Sequence, residues 1–454
     1  MEVYKMLTEC KHNENDNKSK SKFYEYVKKF WPMYAISAVV PVAILSSLYI
    51  KYLKNKNVED KKLKNKALLK SLNLKVEEFF KKSGYKFYHQ RKIESLDEYI
   101  NGEIISENIL KLNNLLKTIK LNPEIKKYFN NFSHVSYCPI VSSDRGSMNN
   151  KPTEFEKKLD EAVDNGDLPI KQFTLSQIDD LYNEKIKNYN SSSKATFFKM
   201  PNIDALDLYQ HANDGAVVQV ASQFNALEST SNRFSPVKNW FDDHTQGPRC
   251  SLQDVISTKH REAAYLKGKL PDAIKGILDK CHINGNIYNN GYLELYNIGS
   301  TGGLQKLKNH ITDNIMNLGL NSQWVVCENG HKQFQLFLAA PSFQGHSIDW
   351  EQKDERTKNF KEICKVLVVA QYKASAQIAV IKSIKQNKQI ELHVTRIGQQ
   401  SFGNPKEIMV ECLNVIHDIV KNYNVKVILH DYLGNSWDED MKKINFSITE
   451  IQKK

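Results

Sequence analysis

No two of the seven cysteines (Cys10, Cys138, Cys250, Cys281, Cys327, Cys364 and Cys412) stand close enough in sequence to form a C-x-x-C pair or a zinc knuckle, and their number is odd. That pattern excludes a disulfide framework or a structural zinc site as the organising principle, and free thiols in a reducing compartment are expected. The chain also has no P-loop with its lysine, no G-x-G-x-x-G fingerprint and no G-x-S-x-G elbow. His282, His310, His331 and His346 lack ligand spacing with any cysteine or acid, so no metal is expected. Acids are the scarcer charge, 52 against 64 basic residues, for a net charge of +12. Much of the excess is local: eight lysines stand between Lys51 and Lys70 against Glu59 and Asp60. A run of that kind suits a membrane-flanking segment better than a nucleic-acid face, which would mix arginine with aromatics, so no nucleic-acid partner is expected.

Charge is absent altogether from Phe30–Ile50, FWPMYAISAVVPVAILSSLYI. Twenty-one such residues as a helix would cross about 30 Å of hydrocarbon. Lys28, Lys29, Lys51 and Lys54 flank the run, and Trp31, Tyr34 and Tyr49 sit near its ends, as interfacial aromatics do. A single transmembrane anchor is the expectation here. A buried core helix is the alternative, and a signal peptide fits less well because a polar stretch precedes the run and no small-residue cleavage site follows.

The remaining organisation follows from composition and periodicity. Residues 1–29, with HNENDNKSKSK, read as a disordered tail. After the 30–50 segment, 51–150 reads as a helical region or stalk and 151–194 as a helical lead-in. From 195 to 440 strands alternate with helices, and 441–454 is a C-terminal tail. The expected strands include Thr196–Lys199, Val217–Val220, Gln333–Ala339, Ile390–Thr395 and Val425–His430; the expected helices include Asn359–Ile384 and Glu407–Tyr423. That alternation predicts an α/β core with a mixed or mainly parallel sheet covered on both faces.

Three strand–loop junctions carry the candidate chemistry. VVQVASQFNALE (Val217–Glu228) is an apolar strand that ends in polar residues, and such strand ends are where open α/β sheets bind ligands. DDHTQGP (Asp242–Pro248) follows it, and IGQQSFGNP (Ile397–Pro405) follows a later strand. Gly398 and Gly403 in that last loop permit positive φ and close approach, so its backbone N–H groups have the potential to hold an anion. A plain turn between strand and helix is the alternative, and Ile298–Gly303 has the same ambiguity. Glu228, Asp242, Asp243 and Asp254 supply carboxyls for glycosidic cleavage, which needs one group to assist the leaving atom and another to orient water. Solvated loop acids are the bland reading. Asn225 is placed to contact a sugar hydroxyl or to form a structural Asx turn.

In this order, VVQVASQFNALE, DDHTQGP, FQLFLAAP and VTRIGQQSFGNPKEI resemble a divergent branch of the macrodomain superfamily. They are similar to ADP-ribose-processing macrodomains among the secreted effectors of intracellular bacteria such as Legionella. The resemblance covers roughly 200–434. It implies a macrodomain-like mixed sheet and hydrolysis of ADP-ribose from a protein side chain, arginine being favoured. It further implies catalytic carboxyls among Asp243, Asp242, Glu228 and Asp254. ADP-ribose would be bound by Asp204, Asn225, Thr245, Gln246, Gly247, Gly398, Ser401, Phe402, Gly403 and Asn404, with no cofactor required. Gln399 and Gln400 depart from the pattern by replacing glycines, and Arg249 replaces a small residue. The resemblance also implies an ADP-ribosylated host protein as partner and a secreted effector that is membrane-associated, with mitochondria as one host setting. A non-hydrolytic ADP-ribose reader and a membrane-tethered scaffold are the other readings the residues allow.

Overall fold

The computed structural model describes residues 95–101, 154–187, 189, 193–203, 212–228, 234–240, 246–251, 254–281, 286–327, 331–431 and 433–451. The chain divides into two units, Met1–Leu72 and Asn73–Lys454, and every described residue belongs to the second. In chain order the elements are α1 (Leu96–Ile100), α2 (Glu154–Asp164), β1 (Lys171–Thr174), α3 (Leu175–Ile186), β2 (Thr196–Pro201) and β3 (Val217–Ser222). Then come α4 (Gln246–Ser251), α5 (Val255–Leu266), α6 (Lys275–Leu278), β4 (Tyr288–Asn289), β5 (Tyr292–Leu293) and α7 (Thr301–Asn314). The last group is β6 (Gly319–Val326), β7 (Lys332–Ala339), α8 (Glu355–Gln386), β8 (Ile390–Val394), α9 (Ile408–Val420), β9 (Val425–Asp431), α10 (Asp438–Met441) and β10 (Thr449–Glu450).

Eight strands form one sheet in the order β1-β6-β7-β3-β8-β9-β2-β10. Every pairing from β7 to β10 is parallel, and β1–β6 and β6–β7 are antiparallel. The mixed α/β sheet with flanking helices is thus observed. Alternation along the strands sends Val217, Leu336, Leu392 and Val427 into the larger core, shared with α8 and α9. Val218, Val220 and Phe337 enter a second cluster with Ala226 and Cys250. Helix starts are set by local capping. Thr174 and Gln177 form a reciprocal capping box at α3, and Asp354 receives Thr357 N–H at α8. Each cap stabilises its helix by about 1 kcal/mol. The five described cysteines are buried and form no disulfide.

One part of the expected architecture is corrected. The membrane-spanning candidate among the described residues is α8, in the middle of the chain, rather than an N-terminal segment. Length and composition alone would let α8 contact or cross a membrane, but here its apolar residues are largely buried, with Phe360, Leu367 and Ile378 in the core. A helix apolar around much of its circumference is what a sheet-covering core position requires. Residues 30–50 lie outside the described residues, as do 1–29 and, apart from 95–101, the region 51–150.

α1 is fastened to this body by its own backbone. Trp324 Nε1–H donates to Tyr99 O (2.6 Å), Tyr99 O–H to Ser322 O (2.9 Å) and Lys382 Nζ to Ile100 O (2.8 Å). Lys382 is fully buried, with Nζ 4.3 Å from the Trp324 ring centroid. Burial, with Lys388 nearby, pushes its ammonium down to about 7 from 10.5. Between those values the unfolded chain binds more protons than the folded one, so this group's penalty shrinks, and stability rises, as pH increases from about 7 to 10.5. Comparing Lys382→Met with wild type in urea at pH 7 and pH 9.5 should show wild type gaining about 3 kcal/mol relative to the variant across that window. Equal pH slopes in the two proteins would exclude a depressed lysine.

Candidate active site at the carboxyl ends of the central strands

The register places a break where a ligand site belongs. β3 pairs with β7 over six residues, to Ser222↔Ala339, but with β8 over only two, Val217↔Leu392 and Val218↔His393. Beyond them the Thr395 N–H is taken by the side chain of Gln219 on β3 (3.2 Å) instead of by a strand carbonyl. Two adjacent parallel strands that stop pairing before their carboxyl ends leave a crevice between them, as ligand-binding α/β sheets do.

The loop 398–404 crosses this break. It leaves β8, yet Asn404 Nδ2 donates to Pro341 O (2.7 Å) and Phe343 N–H donates to Phe402 O (2.9 Å), both beyond the end of β7. Because β3 lies between β7 and β8, the loop roofs the exit of β3. Gly398 and Gly403 have φ of +74° and +66°, and a Cβ on Gly398 would lie 2.5 Å from that of Ala340. The Asn404 N–H closes the loop on Gly398 O (2.9 Å), whereas no acceptor for the N–H groups of Gly398 and Gln399 is present among the described residues. Gln399 is buried and turns back, its Nε2 donating to Pro405 O (3.3 Å), so it braces the loop in place of a glycine. Ser401 is exposed, and the half-buried Phe402 ring sits 5.4 Å from Tyr292.

Tyr292 belongs to the β4–β5 hairpin, the other wall. Its two-residue turn, Asn290 and Gly291, has φ of +47° and +83°, which favours this Asn-Gly pair. Gly291 O accepts from Phe224 N–H (3.0 Å), and a Cβ on Gly291 would meet Asn225 Oδ1 at 2.6 Å. The hairpin therefore packs directly on the turn leaving β3. Asn225 adopts the Asx turn, its Oδ1 accepting from Leu227 N–H (3.1 Å), while its Nδ2 reaches Asn290 Oδ1 at 3.4 Å.

Glu228 ends that turn. It is 3 % exposed, at φ +69°, and its Oε1 has no hydrogen-bond partner among the described residues. Burial pushes its carboxyl up to about 7, against the opposing pull of the Arg261 guanidinium and of the nearby Ser222 hydroxyl. Its other oxygen packs on Gly247, where any Cβ would collide with Oε2 and lie 2.5 Å from Ala221 O. Asn404 Oδ1, Thr395 Oγ1 and Gln219 Nε2 are also buried with no partner among the described residues. Unpaired buried polar atoms are costly, so four of them on residues around one strand break make this place a candidate site.

The structure thus joins Asn225 to the hairpin, the hairpin through Tyr292 to Phe402 in the loop that holds Gly398, Gly403 and Asn404, and, separately, Gly247 to Glu228 at the end of the Asn225 turn. Gln246 opens α4, with its side chain outside the description; Asp204, Asp242, Asp243 and Thr245 lie outside the described residues. Asp254 caps α5, with Oδ1 accepting from Ser257 N–H and Oδ2 from Ser257 O–H. Ser300 caps α7 by accepting from Gly303 N–H, which gives the Ile298–Gly303 loop a helix-starting role. The sequence reading passed over Gln219, Thr395 and the Asn290–Gly291 hairpin. A lone glutamine inside VVQVAS and the N-G pair between Tyr288 and Tyr292 were the signals for two of them.

No protein-family model and no curated protein matches the chain. Solved structures similar to it include the poly(ADP-ribose) glycohydrolase of Deinococcus radiodurans in complex with ADP-ribose, at a TM-score of 0.33 and 8% identity over 64% of this chain and 99% of that one. Another is the poly(ADP-ribose) glycohydrolase of Thermomonospora curvata, at a TM-score of 0.31 and 10% identity over 65% and 92%. The likeness is distant and of the glycohydrolase kind rather than to arginine-specific hydrolases.

Proposed function

We propose that the protein is a hydrolase that removes ADP-ribose from modified protein side chains, arginine first among them, in a host-cell protein. The observation that carries this reading is the buried Glu228 at the exit of the central strand β3, its Oε1 without a hydrogen-bond partner among the described residues, next to a strand, β8, that leads into a glycine-hinged loop. Backbone N–H groups of that loop would receive the diphosphate, and the Asn225 turn would face the distal ribose. An arginine joined to ribose leaves from a group that is already cationic, so a carboxylate is needed to act on water. The water oxygen bonds to the anomeric carbon, its proton passes to Glu228, and the C–N bond breaks to release neutral guanidine, which takes a proton from solvent. Asp243, four residues before Gly247 in the chain, with Asp242 beside it, would hold the ribose and the guanidinium of the bound substrate by bidentate pairing before the C–N bond breaks.

The test combines binding with turnover on the full chain. ADP-ribose at tenfold its dissociation constant should raise the unfolding free energy by about 1.4 kcal/mol, read as an increase in Tm. Labelled ADP-ribose should be released from an arginine-modified protein, and Asp243→Asn should slow release by roughly 10²-fold while leaving binding nearly intact. Binding without release from arginine-, glutamate- or serine-linked substrates would identify a reader; no binding at millimolar ligand would end the proposal.

A further inference from the structure

α5 carries charge where a helix behind a sheet should not. Lys259, His260, Arg261 and Glu262 are each no more than 1 % exposed. A buried polar helix is expensive unless every group has a task. Three of these groups have one nearby. Lys259 pairs with Glu262, Glu262 Oε1 accepts from Val237 N–H (2.9 Å), and His260 is linked to the Asp167 backbone, with burial pushing its imidazole down to about 3. Arg261 is directed elsewhere. Its Nη1 donates to Ala226 O (3.0 Å), its Nη2 to Thr258 Oγ1 (3.1 Å), and its guanidinium lies 4.7 Å from the centroid of Phe337 on β7.

Ala226 O is the carbonyl in the middle of the β3 exit turn, between two non-glycine residues of positive φ, Ala226 (+52°) and Glu228 (+69°). Such a turn costs on the order of 1 kcal/mol per strained residue and persists only where its surroundings fix it. We infer that Arg261 is a positioning residue for Glu228: its buried guanidinium clamps the Ala226–Glu228 turn and supplies the positive charge opposite the carboxylate. The other elements against Glu228 bring no further charge among the described groups. β3 offers the Ser222 hydroxyl, α4 offers Gly247, and the remaining charges of α5 are engaged as above, with Asp254 capping Ser257. This role deepens the hydrolase reading and gives the water-activating carboxylate its working pH, since a guanidinium stays charged throughout.

The experiment reads Glu228 directly, so it does not depend on turnover. In full-length wild-type protein with labelled Glu and Arg, the carboxyl carbon of Glu228 should titrate near pH 7, and the Arg261 guanidinium nitrogens should shift with the same midpoint. Arg261→Gln retains a donor for Ala226 O without the charge, and should move the Glu228 midpoint up by about one pH unit. Arg261→Lys retains charge without the fork; it should hold the midpoint within a few tenths while lowering kcat. If Arg261→Gln does not fold, the wild-type co-titration and the lysine variant decide. Arg261 signals that ignore the Glu228 midpoint, or an equal response of the two variants, would overturn the role. A protein that shows the coupled titration but never releases ADP-ribose would retain this inference and lose the hydrolase.

Discussion

Replacing Glu228 with glutamine is expected to reduce release of ADP-ribose by roughly 10²-fold or more while ADP-ribose binding changes little. The substitution keeps size and hydrogen-bonding capacity, and removes the proton acceptor. The sign of the pH effect follows from its environment. Burial raises the carboxyl to about 7, so the wild-type protein holds it half-protonated near neutrality. A group that must be ionised to take a proton from water then gives a rate that rises through pH 7 and levels above it. The glutamine variant should lose that limb along with the rate. The same raised value affects stability in the opposite sense. The neutral carboxyl favours the folded state below about 4.5, and that contribution is lost as pH rises to about 7. Activity rising where this stability term falls is the signature expected of a buried base. A kcat profile unchanged in the variant would remove Glu228 from the reaction.

Gly247→Ala should be nearly as damaging from a single added methyl group. The Cβ would overlap Glu228 Oε2 and come within 2.5 Å of the Ala221 carbonyl. The carbonyl belongs to β3, which is paired on one side along its full length to β7, so the strand has little room to give. The carboxyl or the start of α4 must move instead, and a misplacement of about 1 Å can cost roughly 10²-fold in rate. Gly276→Ala is the control: nothing lies within 4 Å of its Cβ, and turnover should stay at the wild-type level. Retained activity in Gly247→Ala, with circular dichroism and Tm unchanged, would show that Glu228 does not need its present position.

Much of the α/β core was legible because its strands are buried and regular. Val217–Val220 and Ile390–Thr395 were readable as apolar runs ending in polar loops, and the long composition of α8 announced a helix. Short elements escaped. β1 has four residues and β10 two, too few for alternation to show, and only their pairing to β6 and β2 makes them strands. The start of α5 at Val255 is hard to see in the sequence, because the charged run behind Asp254 looks like a solvated surface. It is buried, and the physical reason is tertiary: Arg261 and Glu262 serve backbone groups 35 and 25 residues away along the chain. The α8 segment shows the converse limit. Hydropathy measures a helix's transfer out of water without distinguishing a bilayer from a protein core.

At the candidate site, glycine spacing carried more information than acid content. Gly247, Gly398 and Gly403 stood in motifs whose backbone demands are met by observed close contacts and positive φ. The carboxyls were less informative. Glu228 and Asp254 are both buried, but one has an oxygen with no partner among the described residues and the other spends both on Ser257. Sequence does not reveal that difference, because a helix cap and an unpaired strand-end acid are the same residue type a few positions from an apolar run.

The most direct measurement of the central claim is a crystal structure of the full chain with ADP-ribose bound. The account predicts the diphosphate within hydrogen-bond distance of the Gly398 and Gln399 N–H groups, and the distal ribose between Asn225 and Glu228, with its anomeric carbon one water away from Glu228 Oε1. ADP-ribose seated away from the β3–β8 break, or bound there with Glu228 sealed from the ribose by the intervening backbone, would contradict it.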